Sequence, residues 1–424
     1  MSRARTSPRQ LLAWAVYDWA SSPYFAVILT FVFAAYFTQG VAANPIDGTA
    51  QWGLAMSISA LLIACLSPVL GAVADAGGRR KPWLALCTGV AAVAIGLLWL
   101  VRPEPGFVLL ALVLMVIANT VLELGQAFYN AMLADLADPT QLGRWSGWGW
   151  GLGYLAGIAA LGLVLVLFIQ PDPPPFGLDA ATAEPVRIVG PLIGLWLVVF
   201  ALPLFLFTPD TPTRGIGFGA SVRAGLGRLL ETLRALRQGS QVTRFLVARL
   251  IYNDGLNTLF AFGGIYAAGT FGMATDEIIL FAIALNVTAG IGSFAFGFLD
   301  DRLGSKRTIL LALAGLVVFG TAALLAPDKA TFWTVGVMVG IFVGPAQSAS
   351  RTLMARLSPA GQRNEMFGLY ALSGKLTAFL GPFLFGAATT LFATQRAGMA
   401  VVVLLLLAGG LLLLLTVREP APQG

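Results

Sequence analysis

Six ionisable side chains stand inside otherwise apolar runs of this 424-residue chain: Asp18, Glu123, Arg249, Asp254, Arg351 and Lys375. A charge at the centre of a bilayer costs about 2.5–3.5 kcal/mol on insertion scales, so each one must face protein or water and each marks a candidate site. Two kinds of chemistry are open to such a set, binding of a charged solute and transfer of protons. Desolvation favours the uncharged form of a carboxyl group. With no histidine in the chain, carboxylates are the groups expected to carry protons near neutral pH, Glu123 and Asp254 first and Asp18 beside them. For Asp18 the competing reading is a carboxylate held by the hydroxyls of Ser21 and Ser22. Lys375 is expected to pair with a carboxylate, Asp254 in the first place, and such a pair can also be purely structural.

Polar side chains gather around these charges at helical spacing. Asn119, Glu123, Gln126 and Asn130 are spaced 4, 3 and 4 apart, which stacks them in one stripe. Arg249, Asn253 and Asn257 form a second line with Asp254 and Thr258 beside it, and Gln347 lies one turn from Arg351. The stripes are expected to face a water-filled cavity, with interhelical hydrogen bonding as the alternative. In that cavity a solute carboxylate would meet Arg351 or Lys375, and an ammonium would meet Glu123, Asp254 or Asp18. Tyr17, Tyr24 and Tyr252 would add aromatic contacts. No Walker A, C-x-x-C or H-E-x-x-H pattern occurs, so no enzymatic activity, cofactor or metal is expected. Cys65 and Cys87 fall in apolar runs and read as small buried hydrophobes.

The elements that must position these residues are membrane spans. Hydrophobic residues make up 58% of the chain and charged ones 11%, against roughly 25% charged in soluble domains. Twelve apolar runs, each near the length of about 20 residues that a bilayer needs, cover 11–39, 51–75, 82–101, 107–134, 145–169, 188–208, 245–271, 277–300, 308–326, 331–355, 364–393 and 397–417. The expected fold is all-α: twelve transmembrane helices in two pseudo-symmetric six-helix bundles. The first bundle is 1–208, a connecting segment with an amphipathic helix is 209–244 (Leu226, Leu229, Leu230, Leu233 and Leu236), and the second bundle is 245–424. The basic start before residue 11 reads as the flank of an uncleaved first span. Of the 26 lysines and arginines, nineteen fall on the side that holds both termini and four in the opposite loops. That bias places both termini in the cytoplasm. It also accounts for the net charge of +6 without nucleic acid as a partner. The expected partners are a small-molecule substrate, membrane lipid and protons, and a monomer is expected.

One pattern occurs twice where an apolar run ends, in GAVADAGGRRK (71–81) and GFLDDRLGSKR (297–307). Gly71, Asp75, Gly78, Arg80 and Lys81 match Gly297, Asp301, Gly304, Lys306 and Arg307. Gln126, Asn130 and Asp135 likewise fall on Gln347, Arg351 and Arg356. A parallel repeat in an apolar chain points to two halves that move around a central site. Asp75 is expected at the start of span 11 near Asn364, and Asp301 at the start of span 5 near Trp145, since a carboxylate is favoured at a helix N-terminus. Such contacts form only when that side is shut, so the loops are expected to gate. The glycines 147, 149, 151, 153 and 157 allow a close helix approach, and Trp145, Trp148 and Trp150 read as interface anchors.

The two loops resemble the signature between helices 2 and 3 of the major facilitator superfamily. The segments 16–37, 67–84 and 128–157, with Tyr17, Asp18, Trp19, Asn130, Gly153 and Tyr154, resemble the branch typified by autophagy-associated vacuolar amino-acid effluxers. Ser-Ser-Pro at 21–23 departs from the Asn-Ser-Ala usual there. The resemblance implies an alternating-access carrier with a cavity lined by helices 1, 4, 7 and 10, and it implies amino-acid efflux. An Ala/Arg-rich composition with few lysines suggests a bacterial inner membrane. A secondary transporter for a small polar or zwitterionic solute is the leading expectation. The rivals are an efflux carrier or flippase for amphipathic drugs or lipids, and a non-transporting membrane sensor or scaffold.

Overall fold

The computed structural model describes residues 7–215, 217–236 and 239–419, which form helices and turns with no strand among them. In chain order the long helices are α1 (Pro8–Val41), α2 (Pro45–Gly77), α3 (Lys81–Leu100), α4 (Pro105–Leu136), α5 (Leu142–Ile169) and α6 (Glu184–Phe207). After the connecting segment come α7 (Gln241–Phe271), α8 (Thr275–Leu303), α9 (Ser305–Leu325), α10 (Lys329–Leu357), α11 (Arg363–Phe392) and α12 (Gln395–Thr416). Eleven are long and apolar enough to cross a membrane. The twelfth, α7, has 31 residues, about 46 Å of helix, and is less apolar because it carries Arg249, Asn253, Asp254 and Asn257. The chain is an integral membrane protein.

Local chemistry sets many of the helix ends. The Asn44 side chain accepts from the Asp47 amide, Ser240 from Thr243 and Asp328 from Thr331, each satisfying a free N–H of a first turn. Gly78 and Gly304 end α2 and α8 at φ 96° and 88°, backbone that favours glycine. Two helices are irregular. α1 carries π-turns over Tyr24–Phe31 and Phe37–Val41, directly after Pro23. α11 is helical over Arg363–Lys375 and Leu380–Phe392 and broken between them. Pro382 has no N–H to return to the Ala378 carbonyl, which contributes to the break.

Two apolar cores result. One is built by α1–α6 around Trp14, Phe33, Leu122 and Leu197. The other is built by α7–α12 around Phe245, Phe332, Leu353 and Met399, and Ala127, Ala131 and Ala134 of α4 join it. The halves meet along two long seams, α2 against α11 and α5 against α8. The expected glycine series of α5 splits between two neighbours: Gly147 and Gly151 face α8, whereas Gly149, Gly153 and Gly157 face α1.

The end of the molecule with the arginine-rich loops, called the basic end below, carries the repeat in three dimensions. Lys81 Nζ donates to the carbonyls of Phe205 and Thr208 at the end of α6, and Asp210 accepts from the amides of Arg80 and Lys81 at the start of α3. In the second half Lys306 Nζ donates to Leu414 and Val417 at the end of α12, and Glu419 accepts from the amides of Ser305 and Lys306. Lys81 therefore corresponds to Lys306, which corrects the expected match of Arg80 and Lys81 with Lys306 and Arg307. The second loop is one residue shorter after its glycine, and Arg307 is left exposed.

The connecting segment forms a helix over Phe218–Leu236 that packs on α2. Gly225 makes the close approach: a Cβ there would lie 2.8–2.9 Å from the backbone of Ala72 and Val73. Ser221 and Leu229 are buried, while Leu226 and Leu230 are exposed, so the expected leucine stripe is divided between protein and surroundings. The side chains of Leu233 and Leu236 lie outside the described residues.

Candidate functional site

At mid-depth Lys375 Nζ donates to Glu123 Oε1 at 2.8 Å, joining α11 to α4 across the two halves. Lys375 stands 12 residues from Arg363, about 18 Å along the helix. This pairing replaces the expected one with Asp254, because the end of the first segment of α11 turns Lys375 toward α4. The side chains remain 28% and 21% exposed, so the bridge is not sealed inside the protein. Gln347 is half-buried and Asn257 exposed, and both keep their amides free of hydrogen bonds within the described protein.

The polar stripe of α4 is engaged at every position. Asn119 donates to Ser59 of α2 at 2.8 Å, and Gln126 donates to Ser21 of α1 at 2.9 Å. Asn130 accepts from Arg351 of α10 at 3.2 Å. Asn119 is buried, whereas Glu123, Gln126 and Asn130 are half-buried, so the stripe has a structural end and an accessible end.

Toward the basic end the stripe runs into a buried ion pair. Arg351, 2% exposed, donates from Nη1 to Asp18 Oδ2 at 2.9 Å, from Nε to Ser146 Oγ at 2.9 Å and from Nη2 to the Ser146 carbonyl at 2.6 Å. Its guanidinium lies over the rings of Trp14, Tyr129 and Trp150, and the Tyr129 hydroxyl also donates to Asp18 Oδ2. Four helices, α1, α4, α5 and α10, thus converge on one guanidinium. Asp18 is held by Arg351 and Tyr129 and not by Ser21 or Ser22. Arg351, expected to meet a solute carboxylate, is closed off here. Ser146 and Tyr129 were not singled out from the sequence. Tyr129 adjoins Asn130 and could have been found as an aromatic flanking the stripe, while nothing in the sequence marks Ser146.

Other expected site residues are placed differently. Tyr17, Tyr24 and Tyr252 are fully buried. The Tyr17 hydroxyl bonds Thr88 at 2.8 Å, that of Tyr24 points at Asn119 at 3.5 Å, and that of Tyr252 bonds Ser350 at 2.7 Å. The structure brings none of the three to an open surface. Arg249 donates to the Tyr370 carbonyl and Ser373 Oγ, reaches Asn253 at 3.5 Å, and stacks on the Tyr370 ring at 3.5 Å. Asp254 is 2% exposed and accepts from the Gly381 amide at 2.8 Å, at the start of the second segment of α11. Trp148 packs on Phe294 and Phe298 of α8 and Trp150 faces Arg351. These tryptophans line the seam between the halves, a correction to their expected place at the lipid interface.

The basic end is shut by two equivalent contacts. Asp75 accepts from Asn364 Nδ2 and from the Glu365 amide, both at 2.8 Å. Asp301 accepts from the amides of Gly143 at 2.8 Å and Arg144 at 3.1 Å. Each carboxylate satisfies first-turn N–H groups of a helix in the other half, where the helix dipole favours negative charge. Gly71 and Gly297 allow it by bringing their backbones against Asn364 and against Gly143–Arg144. Arg80 and Arg363 converge on Asp135 at the end of α4. In the second half Arg356, at the matching end of α10, pairs with Asp300 and Glu419, so the repeat is kept with its charges exchanged. Among the described residues the hydrogen bonds and ion pairs that join the halves lie at this end and at mid-depth.

Comparison with known proteins places the chain. The family model described as "Vacuole effluxer Atg22 like" matches residues 40–145 and 140–421. The chain is 25% identical over 408 residues to the "Uncharacterized MFS-type transporter YxiO" of Bacillus subtilis, covering 93% of this chain and 91% of that protein. It is 26% identical over 276 residues to "Autophagy-related protein 22" of Cryptococcus neoformans, covering 60% of this chain and 49% of that protein. The E. coli fucose:proton symporter FucP superposes with a TM-score of 0.75 at 13% identity, over 97% of this chain and 99% of that one. Sequence and architecture agree that the chain belongs to the Atg22-like family, a branch of the major facilitator superfamily of secondary transporters.

Proposed function

We propose that this transporter moves a small zwitterionic, amino-acid-like solute by alternating access, with protons as the coupling ion. The observation that carries the proposal is the Glu123–Lys375 bridge, opposite charges 2.8 Å apart, partly accessible, and shared between the halves. A zwitterion offers an ammonium for Glu123 and a carboxylate for Lys375, so it can replace the bridge with two new ion pairs and leave neither charge alone. Asn257 and Gln347 stand by with free amides.

With the basic end in the cytoplasm of a bacterial inner membrane, the contacts of Asp75 and Asp301 close the inner side and the solute enters from outside. Inward opening must separate those contacts and the Asp18–Arg351 pair. Protonation of Asp18 removes the charge that holds Arg351, and protonation of Glu123 releases Lys375; in each case a bond between the halves is lost as a proton is gained. Gly71, Gly78, Arg80, Lys81, Gly297, Gly304 and Lys306 act as the frame of this gate.

Uptake of labelled neutral amino acids into proteoliposomes tests the reading. Accumulation should rise with an inward proton gradient, and both Glu123→Gln and Lys375→Met should lower it at least tenfold. Gradient-driven uptake that is unchanged in both variants would overturn the assignment of the bridge.

A further inference from the structure

Asp254 differs from Asp18 and Glu123, the other carboxylates inside the apolar runs, in having no basic partner. Among the described residues it forms no ion pair. The nearest cations on its own and the facing helix are engaged elsewhere, Arg249 with Tyr370 and Ser373 and Lys375 with Glu123. Oδ2 accepts from the Gly381 amide at 2.8 Å, and Oδ1 is buried without any partner. A proton at Asp254 would therefore release no bond between the halves, and a lone carboxylate at this depth calls for a countercharge.

Oxygen atoms gather where Asp254 meets α11. Gly381 has no side chain, and the point where its Cβ would lie is bordered by Thr258 Oγ1, closest of all, by the Asp254 carbonyl at 3.1 Å and by Asp254 Oδ1 at 3.2 Å. The break in α11 leaves acceptors unpaired on the helix that supplies the Gly381 amide. Across 376–379 the helical ladder lapses, and the carbonyls of Ser373, Gly374, Leu376 and Ala378 receive no backbone N–H. A broken helix with unpaired carbonyls, joined to a buried carboxylate at the start of its second half, is a setting that suits a small hard cation. One carboxylate with neutral oxygens balances a single positive charge, and the group contains neither histidine nor cysteine, the ligands a transition metal would select.

We infer that Asp254, Thr258 and the broken segment of α11 bind one monovalent alkali cation of sodium size. The site rests on the transporter reading only for its purpose, since the ion would tie α7 to α11 when loaded from the open side. Binding is a property of the resting protein. It is tested on the purified full chain in detergent, without solute, by thermal unfolding in sodium chloride against N-methylglucamine chloride at equal ionic strength.

A bound ion raises the apparent melting temperature with its concentration. A rise of at least about 2 °C is expected in sodium, together with retention of close to one labelled sodium ion per chain. Asp254→Asn should abolish both effects. Thr258→Val, which keeps the shape and removes one ligand, should move the sodium midpoint to at least tenfold higher concentration, and it serves where Asp254→Asn does not fold. Glu123→Gln should lose transport and keep the sodium shift, which separates failure of this site from failure of the transport reading. Equal melting temperatures in the two salts, no retained sodium, or a sodium shift that survives Asp254→Asn would overturn the site.

Discussion

Gly149 has no room for a methyl group: a Cβ there would meet Asp18 Oδ2 and would lie 2.9 Å from Arg351 Nη2. The residue is glycine because α5 must pass directly beneath the ion pair. Gly149→Ala is expected to push the pair apart and destabilise the protein by about 1–3 kcal/mol, the usual cost of overpacking. Gly162→Ala, inside the same helix with nothing within 4 Å of its Cβ position, should not destabilise and should gain up to about 1 kcal/mol from helix propensity; melting curves of the two variants check this. A second residue-scale expectation concerns the Glu123–Lys375 bridge. Removing one partner strands the other charge, so Glu123→Gln and Lys375→Met should each be less stable than the double variant. The bridge is partly solvated and therefore screened, so each single cost should stay below about 3 kcal/mol, the lower figure for fully buried pairs.

At the scale of elements, Asp75 and Asp301 each hold the first turn of a helix from the other half. Charge at a helix terminus is worth about 0.3–1 kcal/mol, and up to about 2 kcal/mol when partly buried. Asp75→Asn and Asp301→Asn should therefore move the balance toward an open basic end by up to roughly thirtyfold. Spin labels at Thr140 and Ala360, with Cys65 and Cys87 replaced, should show a longer distance population in both variants; an unchanged distribution would contradict it. These contacts were legible in the sequence because they rest on a repeated motif at fixed spacing and on a general preference of helix N-termini. The twelve helices were legible because bilayer thickness and backbone satisfaction leave few alternatives. Pairing across the interior was not. Spacing places Lys375 on its helix, but whether it meets Asp254 or Glu123 depends on the break at 376–379, which one proline hints at without locating. The same limit applies to Arg351, where the sequence shows a buried arginine that needs a partner and tertiary packing alone chooses Asp18 and Ser146. The three tyrosines show the converse error, since aromatic residues beside a polar stripe fill the core more often than they line a cavity.

For the whole molecule, the exchange of charges between Asp135 with Arg80 and Arg356 with Asp300 keeps the two halves alike in shape and complementary in detail. The most consequential shared feature is the lysine at the start of α3 and α9. Lys81→Met and Lys306→Met should each loosen only their own half, visible as faster hydrogen exchange in 201–210 for the first and in 411–419 for the second. Because those lysines fasten the third helix of each half to its sixth, neither half can splay at that end. On the reading proposed above, the halves would then move as two stiff bodies whose parting is confined to the seams α2–α11 and α5–α8.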